Sequence, residues 1–265
     1  RPKELARFGN GLLFTETLEG VGRLGLRSSS PLRLVSGPPS RFAHSIQSVG
    51  ARAMFGLIEM AEFSAQSQLF LYGTDGTATG TGVIATLESD LFSSLAFAAP
   101  RPEGDGSYWL TRVVHDDLAP VIGSLWQSDG TAVGTKKLLD RPCDGCGEPR
   151  DWAAARGGRL FFIAHNFLTD ALTVWRSDGT VEGTLKLASN GKQSVRTTRS
   201  HLKVFDSPRG PLALWTGFDA ATGEEPWISD GTVQGTRRLK DLRGGRYGSR
   251  PRESSVIGNR VFFTA

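Results

Sequence analysis

Apolar and polar residues alternate along the chain in short runs that are separated by Gly-, Asp-, Ser- and Pro-rich segments. The clearest run, at 157–164, follows a glycine turn and reads Gly-Gly-Arg-Leu-Phe-Phe-Ile-Ala; it returns at 258–265. Aromatic and β-branched residues between turn signals favour buried strands. The pattern therefore predicts an all-β chain with short connections, in which 57–66 is the one weak helix candidate.

A second pattern recurs between these runs. An aromatic residue, one variable residue and Ser or Thr precede Asp-Gly-Thr, and Gly-Thr follows; the copies lie at 125–135, 174–184 and 226–236, with a looser one at 71–81. Successive aspartates of these copies are 54, 49 and 52 residues apart. A period near fifty residues indicates a repeat architecture.

Each copy predicts a hairpin turn. The aspartate accepts hydrogen bonds from backbone N–H groups ahead of it, the first glycine supplies positive φ, and the second Gly-Thr ends the turn. A calcium site is disfavoured, because one aspartate per turn offers too few oxygens. The predicted structural turn residues are Asp75, Gly76, Asp129, Gly130, Asp178, Gly179, Asp230 and Gly231.

The repeats predict the domain organisation. Each full unit holds about four strands, and four antiparallel strands per fifty-residue repeat are typical of a β-propeller blade. We expect residues 1–265 to form one repeat domain of about five blades plus the first strand of a sixth, as a fragment of a longer chain. The units are a degenerate one at 9–40, full ones at 41–91, 92–149, 150–200 and 201–243, and a partial one at 244–265.

Aromatic residues occupy repeated positions. Because one blade cannot bury both of its faces alone, we expect these aromatics to pack between neighbouring blades. Trp152 falls outside the repeated positions, in a segment that we interpret as a loop, and is the better candidate for contacting a ligand. The predicted core aromatics are Trp126, Trp175, Trp227, Phe162 and Phe263.

The copies at 125–135, 174–184 and 226–236 resemble the ELWxxDGT repeat, sometimes labelled hyalin-like, of bacterial surface and secreted proteins. The resemblance covers 50–265 and includes the Gly-, Ser- and Pro-rich segment after Asp241-Leu242. The unit at 9–40 departs from the pattern. The resemblance implies an extracellular or cell-surface location and no general activity.

The charge balance is mild: 31 basic and 27 acidic residues give a net charge of +4. The densest basic stretch, 237–252, is a candidate RNA- or polyanion-binding segment. Arg243 and Arg246 are candidate residues for binding a protein or polysaccharide, because their loop varies between units. We favour a solvated loop between repeats and expect no nucleic-acid partner, because no other repeat carries a matching basic run.

The two cysteines form one Cys-Asp-Gly-Cys segment, Cys143 to Cys146. A single CxxC is half a zinc site, and no second pair completes it. We expect a local disulfide in an oxidising compartment, with reduced thiols as the alternative.

Other chemistry is sparse. The four histidines lie in different units without metal-ligand spacing, and neither a nucleophile elbow nor a phosphate-binding loop is found. His115-Asp116-Asp117 is the most suggestive cluster, and 219–227 resembles a hairpin of quinoprotein propellers. We expect no catalytic residue, cofactor or metal, and no membrane span, since no apolar run nears eighteen residues.

These observations predict a non-catalytic propeller module that binds a protein or polysaccharide through loops that vary between units, at 101–106, 140–152, 190–199 and 243–252. One alternative is a propeller-type enzyme, a hydrolase or quinoprotein-like, with a central-channel site at which His115, Asp116, Asp117 and His165 converge. A purely structural spacer or adhesion module is the other.

Overall fold

The computed structural model describes residues 2–18, 21–27, 33–40, 42–60, 67–87, 93–100, 108–115, 120–140, 146–166, 171–192 and 201–265. Every regular element within them is a β-strand, and none is a helix. The all-β prediction is confirmed. Residues 57–60, part of the weak helix candidate, belong to strand β6, where Leu57 joins the buried side of the sheet; 61–66 lie outside the described residues.

Consecutive strands pair antiparallel in chain order, and we name the resulting groups sheets A to F. Sheet A holds β1 (Pro2–Phe8), β2 (Gly11–Leu18), β3 (Val21–Arg27) and β4 (Arg33–Ser40). Sheet B holds β5 (Phe42–Val49), β6 (Arg52–Met60), β7 (Ser67–Thr74) and β8 (Gly82–Leu87). Sheet C holds β9 (Ser93–Pro100), β10 (Tyr108–His115), β11 (Pro120–Ser128) and β12 (Lys136–Asp140).

Sheet D holds β13 (Cys146–Ala155), β14 (Arg159–Asn166), β15 (Ala171–Ser177) and β16 (Leu185–Lys192). Sheet E holds β17 (Lys203–Ser207), β18 (Gly210–Asp219), β19 (Gly223–Ser229) and β20 (Arg237–Arg238), and sheet F is the hairpin of β21 (Arg252–Ile257) and β22 (Arg260–Thr264). Sheets A and D begin earlier than the units at 9–40 and 150–200, because β1 and β13 extend them ahead of the glycine turns.

The chain divides into two compact units, residues 1–100 with 105–137 and residues 101–104 with 138–265. In the first unit, sheet B is buried on both faces because β6 alternates. Phe55 packs with Leu13 of sheet A on one face, and Met54 packs with Leu71 on the other, where Trp126 of sheet C covers them. Stacked sheets of this kind bury the apolar side chains of both faces.

In the second unit, sheets D and E pack face to face. Phe161 and Ile163 of β14 share one apolar cluster with Trp215 of β18, and Trp227 lies against it. Single hydrogen bonds add to the packing between neighbouring sheets: Asp151 accepts one from the Leu202 amide at 3.3 Å, and the Thr216 hydroxyl donates one to the Pro251 carbonyl at 2.9 Å.

The opposite face of sheet D carries a ladder of three aromatic rings. Phe162 lies in register between Trp152 of β13 and Trp175 of β15, with ring centroids 5.8 Å and 6.0 Å away. Trp152 is therefore a strand residue packed on Phe162, not a loop residue. The alternation of β13 places it on the same face as its neighbours in the ladder.

Candidate functional site

The four Asp-Gly-Thr turns are built on a carboxylate that the turn itself satisfies. Asp230 Oδ1 accepts hydrogen bonds from the Thr232 amide at 2.8 Å and from its hydroxyl at 2.7 Å. The same Thr232 hydroxyl oxygen accepts the Gly235 amide at 2.9 Å. The aspartate and threonine thus close the turn together, as short polar side chains do when they bond to backbone just ahead of them.

A second pair of hydroxyls ties the two strands that flank the turn. Ser229 Oγ accepts the Gly231 amide at 2.9 Å and lies 2.7 Å from the Thr236 hydroxyl, which donates to the Thr232 carbonyl at 2.5 Å. Every polar atom of this motif that faces inward has a partner within eight residues of sequence. The turn is therefore a self-contained unit.

The bonds repeat almost unchanged in the other three copies. The aspartates at 75, 129 and 178 accept the amide two residues ahead at 2.8 to 2.9 Å and the threonine hydroxyl at 2.7 Å. The looser copy has Thr74 where the others have serine, and the Thr74 hydroxyl makes the same bond to Thr81 at 2.6 Å. These turns are one structural device used four times.

The two glycines of each turn serve different purposes. The first, at 76, 130, 179 and 231, has φ between +85° and +90°, a conformation that costs glycine little. The second is needed for space, because a Cβ at Gly183 would lie 2.0 Å from Asp178 Oδ1. The sequence analysis missed this second reason and assigned Gly183 only to the end of the turn.

Hydrogen bonding favours the ionised form of Asp75, Asp178 and Asp230. The Thr77 and Thr232 side-chain hydrogen bonds are the main cause of the lowered pKa of Asp75 and Asp230. At Asp178 burial raises the pKa, but the hydrogen bonds from Thr180 outweigh it and the pKa is again lowered. Among the described residues, no three acidic, histidine or cysteine side chains lie close enough to hold a metal ion.

Two of the turns also contact the preceding sheet. A Cβ at Gly130 would touch Arg52 and Met54 of sheet B, and a Cβ at Gly231 would touch Phe161 of sheet D. The first glycine thus lets the turn approach its neighbour closely. We conclude that the Asp-Gly-Thr turns are structural.

A different arrangement follows sheet E. Residues 239–251, which we name the Glu225 loop, connect β20 to β21. Glu225 of β19 is completely buried, and both of its carboxylate oxygens point into this loop. Oε1 accepts the amides of Arg243 at 3.2 Å and Ser249 at 3.0 Å, while Oε2 accepts the Leu242 amide at 3.1 Å and the Ser249 hydroxyl at 2.6 Å. Four donors offset the cost of burying the charge.

Close backbone contacts hold the far side of the loop. Gly248 lies so near β19 that a Cβ there would be 2.2 Å from the Glu224 nitrogen. The Arg250 amide donates to the Glu224 carbonyl at 3.0 Å. Gly245, Gly248 and Arg250 all have positive φ, and for an arginine this conformation is strained. The loop therefore has one defined path.

The side chains of this rigid loop point to solvent. Arg243 and Arg246 are exposed, and Tyr247 is 63% exposed. The Arg246 guanidinium lies 5.8 Å from the centre of the Tyr247 ring, within cation–π range. The structure thus places Arg243 and Arg246 on one held loop, without Trp152, which lies in β13.

The residue two positions before the repeat tryptophan differs between repeats, and its hydrogen bonds differ accordingly. Ser124 accepts the Trp126 indole N–H at 2.7 Å, and Thr173 donates to the Ala164 carbonyl at 3.1 Å. Glu225 instead reaches the following loop. Sequence reasoning missed Glu225, and the signal was a lone carboxylate at a strand position where the other repeats have neutral residues.

Strand order fixes which end of sheet E carries the loop. Consecutive turns of a meander alternate between the two ends, so the Asp230 turn lies at one end. The Glu225 loop lies at the other, with the 220–222 turn between β18 and β19. Arg238 confirms this proximity, since its guanidinium lies 3.7 Å from Asp219 and bonds to the Thr222 hydroxyl.

A small cavity of about 10 Å³ lies beneath the loop, lined by Trp215, Thr216, Pro251 and Phe263 among others. Its volume is that of roughly one water molecule. It is therefore too small to hold a substrate.

Several predicted site residues fall where side chains are not described. Cys143, Asp116 and Asp117 lie outside the described residues. Cys146 begins β13, His115 ends β10 and His165 lies within β14, but their side-chain positions are not described. The disulfide and the histidine–aspartate cluster stay predictions.

Comparison with known proteins gives similarity at the level of fold. No protein-family model matches the chain. No curated protein matches it either. Similar solved structures include an oligogalacturonate lyase in complex with manganese, at 14% identity and a TM-score of 0.45 over 87% of this chain and 61% of the lyase. The chain thus spans less than two thirds of that lyase.

Two proteases are similar as well. A prolyl endopeptidase shows 10% identity and a TM-score of 0.47 over 98% of this chain and 39% of the enzyme. The β-propeller domain of the Trilobed protease from Pyrococcus furiosus shows 11% identity and a TM-score of 0.41 over 90% of this chain and 70% of that one. Of these three, the Trilobed protease domain is a β-propeller.

These comparisons correct one prediction. We expected the chain not to be an enzyme, because no catalytic motif was found in its sequence. The similar structures are a lyase and proteases, so the inference from absent motifs to absent activity was wrong.

The described residues contain no helix of the length and apolarity that crossing a membrane requires.

Proposed function

We propose that this chain is the β-propeller part of a propeller-type enzyme and that the Glu225 loop belongs to its ligand-binding surface. The observation that carries the proposal is the Glu225 carboxylate, which spends all four of its hydrogen bonds on a loop whose residues 241–247 are exposed. Binding residues are commonly placed on loops that a rigid scaffold positions.

The defined path of the Glu225 loop favours a role in ligand binding over a role as a simple connection between two strands. Between β20 and β21 the chain takes a strained path through Gly248 and Arg250, which defines the backbone that carries Arg243, Arg246 and Tyr247. Ordering these residues before a ligand arrives removes an entropic cost from binding. Tyrosine and arginine are also the residue types that dominate binding energy in interfaces.

We extend the proposal to the whole chain. The five four-stranded sheets and the final hairpin are the blades of the propeller, built from ELWxxDGT-type repeats, in a secreted or cell-surface protein. The repeat spacing and the stacking of sheets B on A and C, and of E on D, support this arrangement.

The test compares the wild-type chain with Glu225→Gln, which keeps the size of the side chain and removes its charge. Both are screened against dextran, xylan and polygalacturonate by biolayer interferometry, and the same mixtures, together with chromogenic peptides, are assayed for cleavage products. We expect binding to at least one polysaccharide and a loss of about tenfold or more in Glu225→Gln, since one or more charge-assisted hydrogen bonds worth about 1.5 kcal/mol each hold the loop.

Ser229→Ala is the matched control, because it removes a buried hydroxyl from the Asp230 turn of the same sheet without touching the loop. It should lower stability and leave binding unchanged. Ser249→Ala, which removes one donor to Glu225, serves if Glu225→Gln does not fold. The proposal fails if the wild type binds and cleaves nothing on the panel, or if neither loop variant alters binding.

A further inference from the structure

We infer that the Glu225 loop binds a polysaccharide that carries carboxylate groups. The inference deepens the function proposed above and rests on it. It starts from where the charge of the protein lies. Residues 240–252 hold five basic residues and one acidic residue, a net charge of +4, which equals the net charge of the entire chain. The rest of the chain is balanced, with 26 basic and 26 acidic residues.

The positive charge of this segment is not neutralised by the described protein. The five basic residues are exposed, and none of them forms an ion pair with a described residue. Arg238, just before the segment, is by contrast placed against Asp219. Exposed cations that a fold holds together without counter-charges attract an anionic ligand. The five are Lys240, Arg243, Arg246, Arg250 and Arg252.

The types of basic residue in this segment indicate which class of anion it binds. Four of the five cations are arginines, whose planar guanidinium donates two parallel hydrogen bonds to a carboxylate. The patch is confined to one loop, whereas a nucleic-acid site is an extended basic face that follows a phosphate backbone. These features favour separate carboxylates at intervals along a ligand.

Tyr247 supplies the contact for a sugar ring. Tyr247 is 63% exposed, and the Arg246 guanidinium lies 5.8 Å from the centre of its ring, so an apolar surface and a cation are adjacent. A tyrosine presents a large apolar face next to a polar tip. A uronate, with C–H groups on its ring face and a carboxylate at its edge, matches this pair. An acidic peptide offers carboxylates to the arginines but no sugar ring to Tyr247.

The backbone amides on the inner side of the loop are already bonded to Glu225. The Glu225 carboxylate consumes the amides of Leu242, Arg243 and Ser249, so these inward amides are not offered to the ligand. The loop therefore recognises an anion through side chains, at fixed positions. Affinity should fall with added salt, as for any site of exposed charges.

The experiment measures binding of the wild-type chain to polygalacturonate, dextran, poly-L-glutamate and a single-stranded RNA. We expect binding to polygalacturonate at least tenfold tighter than to the other three, and weakening as salt rises. Arg243→Ala with Arg246→Ala should reduce polygalacturonate binding tenfold or more. Tyr247→Ala should reduce it several-fold and leave the weaker poly-L-glutamate binding unchanged.

Arg209→Ala with Arg237→Ala is the matched control, since it removes the same charge from two exposed arginines outside the loop. It should leave polygalacturonate binding within twofold. Equal or tighter binding of poly-L-glutamate or RNA overturns the inference, as does a Tyr247→Ala variant that behaves like the wild type. Tight dextran binding that Glu225→Gln abolishes also overturns it, while the proposed function stands.

Discussion

The Asp-Gly-Thr turns and the Glu225 loop both use a carboxylate to hold a connection between strands, and they do so in opposite ways. The turn carboxylate accepts hydrogen bonds from the threonine two residues ahead, and this pattern occurs four times. The Glu225 carboxylate bonds to residues 17 to 24 positions ahead and occurs once. The comparison teaches that repetition marks local architecture here, whereas the candidate site lies where a repeat position carries a carboxylate in place of a neutral residue.

The contrast between the turns and the loop is tested with the largest expected effect at the second glycine of a turn. Gly183→Ala places a methyl group 2.0 Å from the Asp178 carboxylate, so the aspartate must leave its hydrogen bonds. We expect a loss of about 2 to 4 kcal/mol in the free energy of unfolding, measured by urea denaturation. In an Asp178→Ala background the same change should cost little, and an additive double mutant would contradict the steric explanation.

The corresponding change in the Glu225 loop is Gly248→Ala. Positive φ and a Cβ position 2.2 Å from the Glu224 nitrogen both oppose the substitution. We expect a loss of about 1 to 3 kcal/mol, with faster amide hydrogen exchange at Leu242, Arg243 and Ser249. Exchange in the four turns should stay at the wild-type rate.

Gly244→Ala is the control for this loop variant, because its Cβ would have nothing within 4 Å and its φ is not positive. Its stability should match the wild type within about 0.5 kcal/mol. If Gly248→Ala exposes the turns to exchange as well, the loop and the turns are not separate structures and the comparison fails.

The smallest expected effect is the pH dependence that the turns confer. The pKa of Asp75, Asp178 and Asp230 is lowered below the ordinary 3.8. The unfolded chain therefore binds protons at higher pH than the folded chain does. The stability that these groups contribute is present above pH 3.8 and is lost as pH falls through the lowered values.

Urea midpoints measured between about pH 6 and pH 2.5 test this sign. Asp230→Asn keeps an oxygen acceptor for Thr232 and removes the titration, so its stability should fall less steeply with acid. A variant whose acid slope equals that of the wild type would show that Asp230 does not contribute.

The strands and turns were accessible from the sequence because their signals are local. Apolar alternation identified β14 and the hairpin that ends the chain, and Asp-Gly-Thr located four turns to the residue. The position of Trp152 was wrong because it depends on β13, whose Pro149 and register shifts interrupt the alternation. Sequence patterns identify a regular strand more readily than one with bulges.

Only part of the candidate site could be predicted from the sequence. Arg243 and Arg246 were chosen by position, since their loop varies between units. Glu225 was not, because its role depends on amides 17 and more residues away that only the folded loop brings back. The clash that requires Gly183 was missed for a related reason: spacing shows that a glycine recurs, but not which atoms would meet its side chain.

The closed hydrogen-bond network of each Asp-Gly-Thr turn has a consequence for how the chain acquires its structure. All of its contacts join residues no more than seven positions apart. Contacts of such short sequence separation have little loop-closure entropy to overcome and form in microseconds. We expect the four hairpins to form as independent nuclei, onto which the outer strands add later, so that order in one repeat does not wait for order in the next.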